Sequence, residues 1–259
     1  NPFLGIAGFD GTTLAARTIQ RQQLLSPIPH FLGVSSTSTD GYSSYHQGHL
    51  RMEKRMTRGF NLSATYTWSK FMDASELLNP TDTAPHRVIS SLDRPHRITA
   101  AGMWDIPWAK RKLWGDWSLS GMYQWQTGAP IEFGNVIFNG NLHDIVLPRS
   151  ERTPERWFNT EAGFNRVAAQ QLANNIRTFP LRLTGLRAHE WNTMNMSLVK
   201  NFRIRETVRF QLRADGIDVF NHPIFAAPNT APTNTLFGQV NNTVGAIQRS
   251  FELIGRLTW

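Results

Sequence analysis

Apolar and polar side chains alternate without interruption over residues 60–69 (FNLSATYTWS). Successive side chains of a β-strand point to opposite faces of its sheet, so this alternation predicts a strand with one apolar and one polar face. The same period of two recurs in six further segments: 42–56, 98–106, 117–126, 194–198, 208–215 and about 246–259. The sequence therefore predicts an all-β, antiparallel protein of about seven strands.

The connections between these strands alternate strictly between short and long. The short ones are residues 57–59, 107–115 and 204–206, and the long ones are about 70–95, 127–190 and 221–245. Such sorting is typical of a transmembrane β-barrel, which has tight periplasmic turns and extended extracellular loops. All 14 prolines lie in connections or at strand boundaries, where a missing N–H does not break a ladder.

The composition argues against several other classes of protein. No uninterrupted apolar run reaches ten residues and mean hydropathy is −0.36, so no helix of about 20 apolar residues is present to span a membrane. Cysteine is absent, which excludes disulfides and thiolate metal sites. The net charge is +8, but Lys and Arg are dispersed, with residues 110–112 as the densest run. We therefore predict no nucleic-acid partner.

Tryptophan placement fits membrane interfaces. Eight of the nine fall near predicted strand ends, where an indole can sit at the boundary between water and lipid: 68, 104, 108, 114, 117, 125, 191 and 259. Trp157 alone lies well inside a loop. The alternative is that these rings form the core of a soluble β-sandwich.

Strand parity predicts that the chain is part of a larger barrel. If Trp259 lies at the periplasmic side, the first of seven antiparallel strands begins at the extracellular side. A complete bacterial barrel instead has an even number of strands and both termini in the periplasm. We expect residues 1–41 to form an extracellular loop or hairpin, and residues 42–259 to form C-terminal barrel strands. Residues 31–36, before the turn-like Asp40-Gly41, would be an eighth strand or an extracellular hairpin.

Five longer runs carry a family resemblance. They are YSSYHQGHLRMEKRMTRGFNLSATYTWSKFMD (42–73), SSLDRPHRITAAGMWDIPW (90–108), WSLSGMYQWQTGAPIEFGN (117–135), RWFNTEAGF (156–164) and SLVKNFRIRETVRFQLRADGIDVFNHPIFAAPN (197–229). From about Leu25 to Trp259 the chain resembles the C-terminal barrel region of TonB-dependent outer-membrane receptors. The most similar class is the Oar-like one, which carries an N-terminal carboxypeptidase-regulatory-like domain.

This resemblance implies a function and a set of partners. It implies a barrel of about 22 strands in the bacterial outer membrane, gated by an N-terminal plug and energised by TonB for solute uptake. No plug or TonB-box residues can be matched here, so autonomous transport by this chain alone is not expected. The implied partners are outer-membrane lipid, the N-terminal barrel and plug portion, TonB and the barrel-assembly machinery. Phe251, Leu253, Leu257 and Trp259 match the terminal signal read by that machinery, and also fit lipid-facing positions.

The inward register predicts a charged lumen wall. It holds six Arg and four carboxylates: Arg51, Glu53, Arg55, Arg97, Asp105, Arg209, Arg213, Asp215, Glu252 and Arg256. We take Arg97, Arg209, Arg213, Asp215, Glu252 and Arg256 as candidate substrate-binding residues. The alternative is simple cross-strand ion pairing that keeps the interior wet.

Catalysis and metal binding find little support in the sequence. His46 and His49 are three apart on a strand and face opposite sides, so no metal site is predicted. No nucleophile, zinc or phosphate-loop motif occurs, so we expect neither an enzyme nor a cofactor. Residues 93–97 (DRPHR) are interpreted as a loop-anchoring hydrogen-bond network, and residues 161–175 as a short helix.

Three functional hypotheses follow. The first is solute uptake as the C-terminal part of a TonB-dependent receptor. The second is a structural or adhesive outer-membrane scaffold without transport, which an absent plug would favour. The third is a soluble carbohydrate-binding sandwich, which the continuous apolar face through Leu62, Tyr66 and Trp68 disfavours.

Overall fold

Seven long strands form one antiparallel sheet. The computed structural model describes residues 1–33, 35, 37–107, 115–171, 175–244 and 248–259. Its strands are β1 (Tyr42–Thr57), β2 (Phe60–Ala74), β3 (Val88–Ile89), β4 (His96–Asp105), β5 (Trp117–Gln126), β6 (Pro130–Glu132), β7 (Arg182–Arg187), β8 (Trp191–Arg203), β9 (Arg209–Ile217) and β10 (Ser250–Thr258). The sheet order is β1-β2-β4-β5-β8-β9-β10, with β3 paired to β2, while β6 and β7 form a separate small sheet.

The sheet confirms the all-β antiparallel prediction. Each of the seven predicted segments is a strand of the large sheet, joined to its chain neighbour in antiparallel register. The first short turn places Arg58 at φ 53° and Gly59 at φ 78°. Two successive positive φ angles match the right-handed twist of a tight hairpin. Among the described residues, β1 and β10 are the two edges of the sheet, and these edges are not paired with each other.

Pairing across the strands separates two faces. One row of directly opposed residues is apolar: Phe60, Trp104, Leu119, Leu198, Ala214 and Leu253. The adjacent row is largely polar: Asn61, Met103, Ser120, Ser197, Asp215 and Glu252. The apolar face is left open, with Leu50 and Leu253 more than 70% exposed. A continuous uncovered apolar face is what a lipid-facing sheet requires.

Several residues depart from the alternation of the two faces, Trp191 and Lys200 among them. Trp191 pairs with Gln126 and lies on the polar face, the same face as Thr193 and Asn195. The prediction that this ring lies at the boundary between water and lipid is therefore wrong. Lys200 lies on the apolar face near the short-turn end, where its ammonium donates to the Gly115 carbonyl. It sits 5.4 Å from the Trp117 ring and 5.1 Å from the Phe202 ring. Lys200 is 1% exposed, so the Gly115 carbonyl and the two rings, rather than water, stabilise its charge.

The first 39 residues form a separate small unit. It contains a 3₁₀ turn (Thr13–Ala15), which buries Leu14, and a short helix, α1 (Arg21–Leu25). The side-chain amide of Asn1 donates to the carbonyls of Leu14 and Ala16. Residues 31–33 and 35 are not in a strand, so the eighth-strand alternative is wrong there; Val34 and Ser36 lie outside the described residues.

The predicted helix at 161–175 is also wrong for the described residues. Only Ala168–Gln170 forms a single 3₁₀ turn, and residues 172–174 lie outside the description. Two features of the backbone explain the difference. Gly163 adopts φ 128°, which a helix cannot accommodate. The backbone of Phe164 instead bridges that of Phe138 in antiparallel fashion, which buries the Phe164 ring in a core.

Two further 3₁₀ turns complete the regular structure of the described residues. They are Leu142–Ile145 and Arg149–Glu151. Among the described residues, no helix has the length and hydropathy to cross a membrane.

Candidate functional site

The long loops fold over one end of the sheet around their own apolar core. We call the described residues of 127–190 and 221–244 the loop cap. Its core comprises Ile131, Phe133, Val136, Ile145, Trp157, Phe158, Phe164, Phe179, Leu183, Leu186, Phe237 and Val240. The Phe133 ring is central, with its centroid 5.1 to 5.7 Å from those of Phe158, Phe164 and Phe179. Packed aromatic rings in tilted and stacked arrangements give these loops a fixed shape.

A buried ion pair joins the loop cap to the loop before β4. Asp93 is 1% exposed, and its Oδ2 accepts from Arg187 Nη2 at 2.7 Å. Its other oxygen accepts from the Phe71 backbone amide at 2.6 Å. Arg187 also donates to the carbonyls of Asp93 and Gly128 at 3.2 Å. Both carboxylate oxygens are therefore satisfied, as a buried charge requires.

The rest of residues 93–97 extends this network. The Ser69 hydroxyl donates to the Arg94 carbonyl at 2.9 Å, and the Ser69 amide donates to the Pro95 carbonyl at the same distance. Burial and the neighbouring Arg187 lower the pKa of Arg94, and Asp93 partly opposes that shift. The structure thus confirms the interpretation of this segment as a loop anchor.

A second arginine, Arg182, lies close to three carboxylates. Arg182 is 7% exposed, and its Nη2 and Nε lie 2.9 and 3.1 Å from Glu132 Oε2. Asp73 Oδ1 lies 3.7 Å from Arg182 Nη1, and Glu76 Oε1 lies 3.8 Å from Arg182 Nη2. Nearby, Arg177 donates to the carbonyls of Phe133 and Phe179. Burial lowers the pKa of Arg177, against the raising effect of Glu132 and Glu76. These arginines tie the first long loop to the loop cap.

The polar face of the sheet, which we call the polar wall, carries all six candidate substrate-binding residues. Asp215 lies opposite Glu252, Arg209 opposite Thr258, and Arg256 opposite Gln211. Arg213 Nε contacts Asp215 Oδ1 at 2.7 Å. Arg97 is on the same face but on β4, separated from β9 by β5 and β8. The structure therefore brings five of the six together on β9 and β10 and leaves Arg97 apart.

The curvature of the polar wall creates an open trough of about 550 Å³. Its polar lining residues are Asn61, Ser120, Asn195, Ser197, Arg213, Asp215 and Glu252, and they alternate with apolar ones that include Met103, Met122 and Ile217. The trough therefore offers hydroxyl, amide and charged groups beside apolar surface. No group of three or more His, Asp or Glu that could hold a metal occurs in the described part of the chain.

The residues that the sequence predicts as an assembly signal lie on or directly after the terminal strand, at an open edge of the sheet. Phe251, Leu253 and Leu257 project from the apolar face of β10, opposite Gly216, Ala214 and Phe210. They are 70%, 71% and 53% exposed, and Trp259 is 87% exposed. An edge strand with accessible apolar side chains is available to another chain for pairing.

Sequence reasoning missed the partners of the buried anchor. Arg187 and Asp93 are 94 residues apart, and Arg182 and Glu132 are 50 apart. Neither arginine lies in a segment with a recognisable period. The available signal was the density of aromatic residues in the longest loop, which a solvated loop does not need.

The chain also matches a family of known proteins. A family model described as an outer membrane beta barrel domain matches residues 4–252. The chain belongs to this outer membrane β-barrel family, and it is a protein of the bacterial outer membrane. No curated protein matches it, and no solved structure does. The family confirms the predicted barrel class and compartment, and it makes the soluble-sandwich hypothesis wrong.

Proposed function

We propose that the chain is the C-terminal barrel part of a TonB-dependent-receptor-like transporter. In this proposal the loop cap captures a solute outside the cell, and the polar wall lines the route inward. A plug supplied by the N-terminal part gates that route, and TonB opens it. The function is binding and passage without chemical conversion of the solute, and it uses no resident cofactor.

The observation that carries the proposal is the packed loop cap above a polar wall. A loop that captures a solute binds more tightly when its shape is fixed before binding, because less conformational entropy is then lost. The aromatic core, the buried Arg187–Asp93 pair and the partly exposed Arg182–Glu132 pair supply such a fixed shape. The polar wall provides water-compatible contacts along the same sheet.

The open sheet edges support a larger barrel. Unpaired N–H and C=O groups in hydrocarbon each cost several kcal/mol, so membrane sheets close. The outer edges of β1 and β10 lack strand partners among the described residues. We propose that strands of the N-terminal part pair with both edges, and that the barrel-assembly machinery recognises β10 beforehand.

Orientation in the membrane is testable because the chain has no cysteine. Thr184→Cys lies at an exposed position on the loop cap, and Glu206→Cys lies at an exposed position in a short turn. On intact cells, a membrane-impermeant maleimide should label the first variant and not the second. Both should react after the outer membrane is permeabilised. Labelling of the turn alone on intact cells would reverse the proposed topology.

Transport is tested by following what cells remove from their medium. Cells with the whole protein, cells with its gene deleted and cells lacking TonB are grown in one defined medium, and solutes are quantified by mass spectrometry. The proposal expects at least one solute whose removal depends on both genes. The same solute should remain in the medium when the loop cap is unfolded by Phe133→Ala.

The rival function is an adhesive or structural scaffold. Leu92 and Ile176, on the long loops, are 69% and 76% exposed, which would suit contact with another surface. A scaffold predicts that solute removal is identical in the three strains, while attachment of cells to surfaces falls when the gene is deleted. That combination would replace the transport proposal.

A further inference from the structure

A cavity of about 330 Å³ opens in the loop cap where β5 ends and β8 begins. Its wall includes three arginines, Arg149, Arg152 and Arg187, and three rings, Trp157, His189 and Phe225. This volume is at the lower end of the range for small-molecule pockets, about 300–1,000 Å³. The cavity shares no lining residue with the trough of the polar wall.

The cavity has an unbalanced positive charge. Arg187 is paired with Asp93, and Arg149 is paired with Glu190 at the rim. Arg152 donates from Nε to the Leu147 carbonyl at 2.8 Å, and no carboxylate of the described residues lies within 4.0 Å of it. Burial lowers the pKa of Arg152, and the positive charge of Arg149 lowers it further. An anion beside Arg152 would raise this pKa and so oppose the shift, because an opposite charge stabilises the guanidinium.

The rings give the cavity a rigid aromatic wall, in which the His189 ring is inclined by 49° to that of Trp157 and by 81° to that of Phe225. Trp157 is 7% exposed, and its Nε1 donates to the Arg187 carbonyl at 2.8 Å. The His189 ring is 6.0 Å from that of Trp157 and 5.1 Å from that of Phe225. His189 Nδ1 donates to the Glu190 carbonyl at 2.8 Å, because a carbonyl can only accept. These contacts fix the rings before any ligand arrives.

We propose that this cavity binds a small organic anion, a carboxylate or phosphate ester joined to a flat apolar group. Arg152 holds the anionic group and the rings hold the flat part. Glu190 competes with the ligand for Arg149 at the rim. The inference deepens the proposed function, since it assigns a chemical class to the solute that the loop cap captures.

The test measures binding to the purified whole protein in an uncharged maltoside detergent, which excludes lipid phosphate. Phenyl phosphate and benzoate are the anionic probes, and inorganic phosphate and benzyl alcohol each carry one half of the proposed ligand. Calorimetric titration should show that the anionic aromatic probes bind at least about tenfold more tightly than either half. Equal affinity for inorganic phosphate and phenyl phosphate would reduce the site to a simple anion contact and overturn the proposal.

Three variants locate the binding. Arg152→Gln should weaken phenyl phosphate binding about tenfold, because a charge-assisted contact is lost. Arg156→Gln, an exposed position in the same segment and outside the cavity, removes the same charge and should have no effect. Glu190→Gln should strengthen binding about threefold by releasing Arg149. A damaged fold cannot strengthen binding, so this third variant keeps the test valid if Arg152→Gln unfolds.

The outcomes separate this inference from the transport proposal. Unchanged affinity in both Arg152→Gln and Glu190→Gln would overturn the anion site, even if cells take up a solute. Binding with the expected pattern of variants would support the site even if uptake does not depend on TonB.

Discussion

The sheet and the loop cap are stabilised by opposite arrangements of the same residue types. On the sheet, apolar side chains face outward, and Leu253 and Trp68 remain 71% and 61% exposed. In the loop cap they point inward, and Phe133 and Phe158 are at most 1% exposed. Lipid replaces the buried core for the first region, whereas the second must bury its own. The difference shows that one chain is built for two solvents.

The largest expected effect is the loss of a central ring from the loop cap. Phe133→Ala should destabilise the cap by about 3–5 kcal/mol, because a cavity replaces a buried phenyl group. Limited proteolysis on intact cells should then cleave residues 127–190, while the sheet keeps its resistance. The control is Phe220→Ala, at a ring that is 63% exposed and should matter little. Simultaneous loss of the sheet would mean that the two regions are not independently stabilised.

The sheet is tested with two adjacent residues on opposite faces. Met196 lies on the apolar face opposite Gly121, and Ser197 lies on the polar wall opposite Asp215. Met196→Arg should cost about 2–4 kcal/mol on folding into vesicles, because a charge then faces hydrocarbon. Ser197→Arg should be tolerated, since its charge lies beside a carboxylate. Equal effects at both positions would show that the faces are wrongly assigned.

The buried ion pair should be worth less than the aromatic core. Arg187→Met leaves Asp93 with the Phe71 amide but without its charged partner, which should destabilise the cap by about 1.5–3 kcal/mol. Hydrogen exchange of the Phe71 and Ser90 amides reports the change locally. Asp93→Asn with Arg187→Met should recover part of the loss, because no unpaired charge then remains buried. A double variant worse than Arg187→Met alone would contradict this account.

The contrast also explains which features the sequence could predict. Strands 60–69 and 117–126 were predictable because each face meets a different solvent, and this difference imposes a period of two on the sequence. The loop cap was not predictable in detail, because its core joins residues far apart in the chain. Phe164 shows why: tertiary contacts with Phe133 and Phe138 override the weak helical pattern around it. Trp191 shows the limit for strands, where position near an end did not determine the face.

The smallest expected effect is the loss of an ion pair that is exposed to solvent. Arg51 and Glu53, on edge strand β1, form an ion pair at 3.1 Å, but their side chains are 63% and 52% exposed. Glu53→Gln should therefore change the folding free energy by less than about 1 kcal/mol, and salt should remove even that. The side chains of Arg187 and Asp93 are only 16% and 1% exposed, so salt should not remove the contribution of this pair to the stability of the loop cap. The folding free energy of Glu53→Gln is measured in vesicles at low and at high salt. The protease sensitivity of Arg187→Met, measured at the same two salt concentrations, shows whether the buried pair responds differently. A large, salt-resistant loss at Glu53 would mean that neighbouring strands exclude water from β1, as they do in a closed barrel.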